Sequence, residues 1–241
     1  MSRSGAVFCG LCSTIPVAMV SISVLVSTLR DRSASAAMKG VTRGNLGALT
    51  PGPTVVAGRL TASAPVDAPM SGPALAYTFV LKENQVRVTG KARLTEIVDD
   101  KKQGELQLTS AEGTCAVQGD VSELLEDGAS GESNLLAGRP PPELLAAMAR
   151  YGVSDSTLLG MERARKWHER LVREQDVAIF GDVNAVNGGL TLAIRRIAKG
   201  TAEDLEAKLT DGGNLGGAFG AILLFSLLIP IAAVCGGFFV K

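Results

Sequence analysis

The sequence predicts a mainly β fold: a small antiparallel, barrel-like domain with a few short helices, flanked by two transmembrane helices. Short runs of alternating apolar and polar residues between positions 54 and 200 predict the strands. Two apolar stretches without charged side chains, residues 6–29 and 215–240, predict the transmembrane helices. About 20 such residues cross the apolar core of a bilayer. We expect the strands to close into a barrel, because closure removes exposed strand edges.

The domain organisation follows from these patterns, and one alternative stays open. Arg3 and the small residues at 33–35 also fit a cleaved signal peptide in place of the first membrane helix. The expected order is a short tail (1–5), transmembrane helix 1 (6–29), a linker (30–53), the β-domain (54–200) with a partly ordered insertion at about 120–160, a short helix and linker (201–214), and transmembrane helix 2 (215–240).

Strands are predicted wherever apolar and polar residues alternate between turn residues. Asn84 is interpreted as a turn, and the Asn187-Gly188 pair as a hairpin turn. The predicted strands are 54–63, 75–83, 85–98, 105–110, 114–118, 164–172, 176–186 and 190–197. Helices are predicted at 142–150, which opens with proline, and at 202–209, with Thr201 as N-cap.

The charge balance restricts the class of partner. The chain has 24 basic and 24 acidic side chains, so a broad basic face for nucleic acid is not expected. Arg30, Arg32, Lys39 and Arg43 form a small basic collar beside the first apolar stretch. Such a collar contacts anionic lipid head groups or merely sets the orientation of the span. Membrane lipid is therefore an expected partner, and nucleic acid is not.

Few residues are available for catalysis or metal binding. Three of the four cysteines lie in the apolar stretches, which leaves Cys115 in the β-domain. The single histidine, His168, precedes Glu169 on a predicted strand, where successive side chains face opposite sides. The acidic pairs 99–100 and 126–127 are interpreted as solvated turn tips. We expect no catalytic constellation, no cofactor and no metal site, with a Cys115–His168 dyad as the alternative.

Three blocks of sequence between residues 54 and 200 form a recognisable series. Their characteristic positions are Gly58, Pro65, Pro69, Ser71, Gly72 and Tyr77 in the first block, Gly113 in the second, and Glu169, Leu171, Asp176 and Gly181 in the third. Together these blocks resemble the GIDE-type domain of mulan-like mitochondrial E3 ubiquitin ligases and their prokaryotic relatives. Gln175 replaces a glycine and Ser110 an aspartate that are usual in that domain.

The resemblance implies a membrane-proximal domain that binds or senses a protein partner. In the ligases a RING domain follows the second span, whereas this sequence reaches Lys241 directly after it, so we expect no ligase activity from this chain alone. The alternative is an accessory component of a ubiquitin-like conjugation system whose RING lies on another chain. A third hypothesis is a membrane enzyme of unrecognised type.

Two further expectations concern the membrane. Gly216 and Gly220 form a GxxxG motif, which predicts packing of helix 2 against helix 1 or a second copy of itself. Basic residues beside the spans place the β-domain in the cytoplasm by the positive-inside rule. The GIDE-type resemblance implies the opposite, extracytoplasmic side. The sequence therefore predicts a two-pass membrane protein whose orientation stays open.

Overall fold

The computed structural model describes residues 33, 36–38, 40–41, 43–86, 92–133, 139–154, 164–186 and 189–210. The chain divides into two compact units, Met1–Val41 with Glu203–Lys241, and Thr42–Ala202. The second unit, called the β-domain below, contains eleven strands within its described residues. In chain order these are β1 (Gly52–Ala64), β2 (Val66–Ala68), β3 (Gly72–Ala74), β4 (Ala76–Val86), β5 (Ala92–Gln103), β6 (Glu105–Ser110), β7 (Gly113–Gln118), β8 (Glu126–Ser133), β9 (Arg165–Val172), β10 (Gln175–Val186) and β11 (Gly189–Lys199).

Five strands close into a barrel in the order β1-β10-β11-β7-β6. All its neighbours are antiparallel except β11 and β7, which run parallel where Thr191 to Ala193 face Ala116 to Gln118. The alternation in β7 turns Cys115 and Val117 inward and leaves its even-numbered neighbours exposed. The barrel interior is filled by aliphatic side chains with at most 1 % exposure, among them Leu60, Leu108, Ile179, Leu192 and Ile197.

A second sheet has the order β5-β4-β9-β8 and is antiparallel throughout. β9 shows why one of its faces is buried, since its residues alternate strictly between buried and exposed from Arg165 to Leu171. The helix Pro142–Arg150 and the β2–β3 hairpin share a second hydrophobic core with that face. Phe79, Leu81, Leu144, Met148 and Trp167 lie in this core.

Most predicted elements are present within the described residues, and three turn assignments were wrong. Asn84 lies inside β4, opposite Leu94, so the strand continues through it to Val86. The pairs 99–100 and 126–127 lie within β5 and β8 rather than at turn tips. The insertion at about 120–160 contains the expected helix Pro142–Arg150, but it also contains β8, which the sequence did not indicate. A helix occupies residues 202–210, as predicted.

The predicted transmembrane helices, 6–29 and 215–240, lie outside the described residues, and so do Gly216 and Gly220. Among the residues that the structure does describe, no helix has both the length and the apolar character needed to cross a bilayer. The mainly β, antiparallel character of the domain is confirmed.

Candidate functional site

Glu169, in the third of the sequence blocks that carry the GIDE-type resemblance, is hydrogen-bonded to residues of the first block. Its side chain projects from the buried face of β9 and has no exposed surface. Its carboxylate accepts a hydrogen bond from the Met70 amide at 2.8 Å and a second from the Ser71 hydroxyl. Gly72 follows in the left-handed region, with φ of 78°, where an L side chain would be strained. The tight β2–β3 turn is thus held to the sheet by one buried carboxylate.

Tyr77 belongs to a hydrogen-bonded cluster at the end of the helix. Tyr77 and Tyr151 donate to the same carboxylate oxygen of Asp100, at 2.7 and 2.6 Å. Lys102 Nζ lies 3.6 Å from that oxygen. Tyr151, the residue that ends the helix Pro142–Arg150, also stacks on Phe79 with ring centroids 5.7 Å apart. The cluster therefore fixes the end of the helix to β4 and β5.

The environment of this cluster shifts the pKa of Asp100 and of both tyrosines. Burial acts to raise the pKa of Asp100, but the hydrogen bonds from Tyr151 and Tyr77 and the charge of Lys102 outweigh it, so the pKa is lowered from its ordinary 3.8. Burial and the hydrogen bond to Asp100 raise the pKa of both tyrosines, and that of Tyr151 rises strongly. At neutral pH these groups form a stable carboxylate–hydroxyl network.

The same face of the sheet holds a buried ion pair. Arg165 Nε lies 3.4 Å from Glu83 Oε2, and both side chains are at most 5 % exposed. The Arg165 guanidinium also donates to the Ser154 carbonyl at 3.0 Å. A buried charge needs such partners, because its desolvation costs several kcal/mol. Arg165, Glu83 and Glu169 are therefore structural groups of this face.

The opposite face of the second sheet opens into a cleft. Lys101 on β5 and Arg170 on β9 both lie opposite Thr78 on β4, and Asp99 lies opposite Val80. Directly opposite residues in antiparallel strands share a face, so these side chains form a polar floor. The connection between β7 and β8 supplies the facing wall. The cleft has a volume of about 610 Å³, and Asp120, Val121, Ser122 and Leu125 line that wall.

Both signs of charge meet in this cleft. Lys101, Lys102 and Arg170 are basic, and Asp99 and Asp120 are acidic. Arg170 donates to the Leu125 carbonyl at 2.9 Å, and its Nε lies 3.6 Å from Asp127. The Ser122 hydroxyl and amide both bond Asp120. An open, polar, zwitterionic cleft suits a charged polypeptide better than a small apolar ligand, whose sites are enclosed and mostly hydrophobic.

The remaining positions of the resemblance lie mainly in the barrel and have packing roles. A Cβ on Gly58 would lie 2.8 Å from the Thr109 carbonyl, and one on Gly181 only 2.2 Å from the Ala193 carbonyl. Gly113 opens β7 against the backbone of Leu46. The Asp176 carbonyl accepts from the Gly200 amide at 2.9 Å. Pro65 is exposed between β1 and β2, whereas Pro69 is buried and Leu171 belongs to the second core.

The candidate catalytic residues lie in separate places. Cys115 is buried inside the barrel, its thiol 3.4 Å from the Leu190 carbonyl, and burial raises the pKa of that thiol. His168 is on the exposed face of β9, with Nε2 3.1 Å from Asp127 Oδ1. The opposite orientation of His168 and Glu169 is as predicted. Within the described ranges no cluster of three or more histidine, cysteine, aspartate or glutamate residues is arranged to hold a metal ion.

Sequence reasoning missed the cleft residues. Thr78, Lys101 and Arg170 come from three strands and meet only through the register of the sheet. The sequence predicted a strand at 164–172, but nothing local indicated which of its faces is buried or which strands would flank Arg170. Asp99 was interpreted as a turn residue because its local sequence did not show that β5 continues to Gln103.

The fold and the site together define a mainly β domain with a closed barrel, a second sheet and an open polar cleft. In comparisons with known proteins, the chain matches no protein-family model, no curated protein and no solved structure.

Proposed function

We propose that this chain is a two-span membrane protein whose GIDE-like β-domain binds a protein partner beside the bilayer. The cleft of about 610 Å³ on the open face of the second sheet carries the proposal. The two apolar stretches, 6–29 and 215–240, support the membrane anchorage.

The edge strand of the sheet suggests how a partner binds. β5 is the outer strand in the order β5-β4-β9-β8, and it lines the cleft with Asp99, Lys101 and Lys102. Edge strands pair with extended segments through their main-chain groups, and neighbouring side chains give specificity. We infer that the partner contributes an extended segment with charges of both signs, one end of which enters the cleft.

Photo-crosslinking in native membranes tests this proposal. A photoreactive amino acid at Asp120 would lie on the cleft wall, whereas one at Glu143 would lie on the exposed side of the helix Pro142–Arg150. We expect an adduct of discrete mass from position 120 and none from position 143. The change Lys101→Glu should reduce the yield from position 120 several-fold, because it reverses one charge of the floor.

Two outcomes distinguish the hypotheses. Equal or absent adducts at positions 120 and 143 would contradict partner binding at the cleft. Identification of the captured chain as a RING protein or a conjugating enzyme would support the accessory role in a ubiquitin-like conjugation system.

A further inference from the structure

A second hollow lies on the barrel next to the cleft and is called the barrel groove below. It has a volume of about 430 Å³ and is lined by residues 103–107 and 116–119 together with Ser63. Gln103 lines both the barrel groove and the cleft, and Gly119 of the groove is followed directly by Asp120 of the cleft. The barrel groove therefore begins where the cleft ends.

The two hollows lie on either side of a fork in the chain. β6 and β7 are paired from Leu106 and Val117 to their turn, and this pair forms the floor of the barrel groove. Before Leu106 the chain belongs to β5 of the second sheet, and after Val117 it enters the connection that forms the cleft wall. The Gln103 side-chain amide crosses this fork and donates to the Gly119 carbonyl at 2.8 Å. This hydrogen bond marks the boundary between the two hollows.

The barrel groove differs from the cleft in charge. Among the residues that line it, all of them within the described ranges, Glu105 alone is ionisable, and its carboxylate accepts a hydrogen bond from Ser63 at 3.1 Å. An acidic side chain would be repelled by Glu105, and a basic one would gain only an exposed ion pair, which contributes little. The groove thus favours uncharged residues, whereas the cleft contains charges of both signs.

Two glutamine side chains in the barrel groove can bind a polypeptide backbone. Gln107 is half-buried and Gln118 is exposed, and neither side-chain amide has a hydrogen-bond partner within the part of the chain that the structure describes. Gln107 is flanked by short side chains, since it lies opposite Thr61 on β1 and Ala116 on β7. A carboxamide both donates and accepts hydrogen bonds, which matches the main-chain N–H and C=O groups of an extended segment.

We propose that the extended segment of the partner continues from the cleft across Gln103 into the barrel groove, where its residues are polar and uncharged. This inference rests on the proposed function and adds the second half of the recognised sequence. The stretch of chain from residue 99 to residue 107 runs along both hollows. At roughly 3.3 Å per residue it spans at most about 30 Å, which corresponds to a partner segment of about nine residues.

Selection from a display library of nine-residue peptides tests this proposal on the full chain in lipid nanodiscs. We expect the enriched peptides to carry charges of both signs in one half and uncharged polar residues in the other. The change Gln107→Glu should bring basic residues into the uncharged half, because it places a second carboxylate on the same face as Glu105. Gln175→Glu, half-buried at the start of β10 and outside both hollows, is the matched control and should leave the enriched sequences unchanged.

The affinity of one enriched peptide then measures the contribution of the barrel groove. Gln107→Ala should weaken binding of the nine-residue peptide roughly two- to tenfold, the effect of losing one hydrogen bond. The same change should leave the affinity for the charged half of the peptide alone unaltered. Fluorescence anisotropy of labelled peptides gives both affinities. Gln118→Ala should act in the same way and covers the case in which one variant misfolds.

The outcomes separate this inference from the proposed function. Enriched peptides with charges in both halves, or an equal effect of Gln107→Ala on the whole and the shortened peptide, would overturn the inference alone. Enrichment that Lys101→Glu leaves unchanged would contradict binding at the cleft, and with it both proposals. A library that shows no enrichment above the empty display vector would also contradict both.

Discussion

At position 169 a carboxylate occupies an inward position of β9, between the buried side chains of Trp167 and Leu171. It is satisfied there by donors from Met70 and Ser71, which lie almost a hundred residues earlier in the chain. The sequence predicted that His168 and Glu169 face opposite sides, but it could not show which side is buried. A buried acceptor with two donors fixes the position of the β2–β3 turn, because losing either donor leaves the acceptor undersatisfied.

We predict that Ser71→Ala lowers the free energy of unfolding by about 1–3 kcal/mol, the usual cost of leaving a buried polar group short of a partner. In a Glu169→Ala background the same change should cost much less, because the acceptor is already gone. The measurement is urea unfolding of the full chain in mild detergent, followed by the fluorescence of Trp167, which lies in the same core.

Ser63→Ala is the matched control for this double-mutant comparison. Ser63 also donates to a glutamate, Glu105 at 3.1 Å, but this pair is exposed. We expect a change within about 0.5 kcal/mol there. Equal costs for Ser71→Ala in the two backgrounds would show that the hydroxyl and the Glu169 carboxylate do not interact.

The Asp100 cluster predicts a loss of stability in acid. A carboxyl whose pKa is lowered on folding stabilises the fold fully above its ordinary pKa of 3.8, and this contribution is lost as the pH falls through the lowered value. The stability difference between the wild type and Asp100→Asn should therefore be constant near neutral pH and shrink below about pH 4. Tyr151→Phe should weaken this dependence, since it removes one donor. A difference that is independent of pH would contradict the assignment.

At the scale of elements, glycine at position 181 permits close contact between β10 and β11. The register shifts there, between Phe180 and Gly181, and a Cβ would meet the Ala193 carbonyl at 2.2 Å. We predict that Gly181→Ala destabilises the domain by about 1–3 kcal/mol, because backbone on the neighbouring strand must move. Gly189→Ala, where the Cβ has an ordinary contact at 3.7 Å, should change stability by less than about 0.5 kcal/mol. Similar melting curves for the two variants would contradict this account.

Local patterns predicted the elements well, and long-range pairings poorly. The hairpin of β6 and β7 and the strands β9, β10 and β11 follow from alternation and turn residues close by in sequence. β8 was missed because its sequence, EDGASGES, has no apolar alternation. Its glycines make room for neighbours instead: a Cβ on Gly131 would lie 2.5 Å from the Trp167 ring, and one on Gly128 3.1 Å from Leu171. Such complementarity is visible only once β8 lies beside β9.

At the scale of the whole molecule, the GxxxG motif in the second apolar stretch predicts self-association. Gly216 and Gly220 would lie on one face of a helix and allow backbones to approach closely. We predict that Gly220→Ile weakens association in a membrane two-hybrid assay, whereas Ala221→Ile, one residue around the helix, leaves it nearly unchanged. An unchanged signal from a well-inserted Gly220→Ile chain would contradict the motif's role.

The orientation of the β-domain is a second prediction at this scale. The basic collar beside the first stretch predicts a cytoplasmic domain. Cys115 is a poor reporter, since it is buried and burial raises the pKa of its thiol. Glu143→Cys, with the four natural cysteines replaced by alanine, places an exposed thiol on the β-domain. We expect an impermeant maleimide to label it only after permeabilisation. Labelling of intact cells would support the extracytoplasmic side that the resemblance implies.

The order of strands around the barrel has a consequence for biosynthesis. β1 pairs with β10, and β7 gains its parallel neighbour only from β11, so the ring cannot close until residues near 199 have left the ribosome. Because translation adds roughly 5–20 residues per second, β1 lacks its β10 partner for on the order of ten seconds. Pairings this distant in sequence also form slowly. The nascent chain therefore presents an open β1 edge until β10 has been synthesised, and chaperone capture at that stage would act on this strand first.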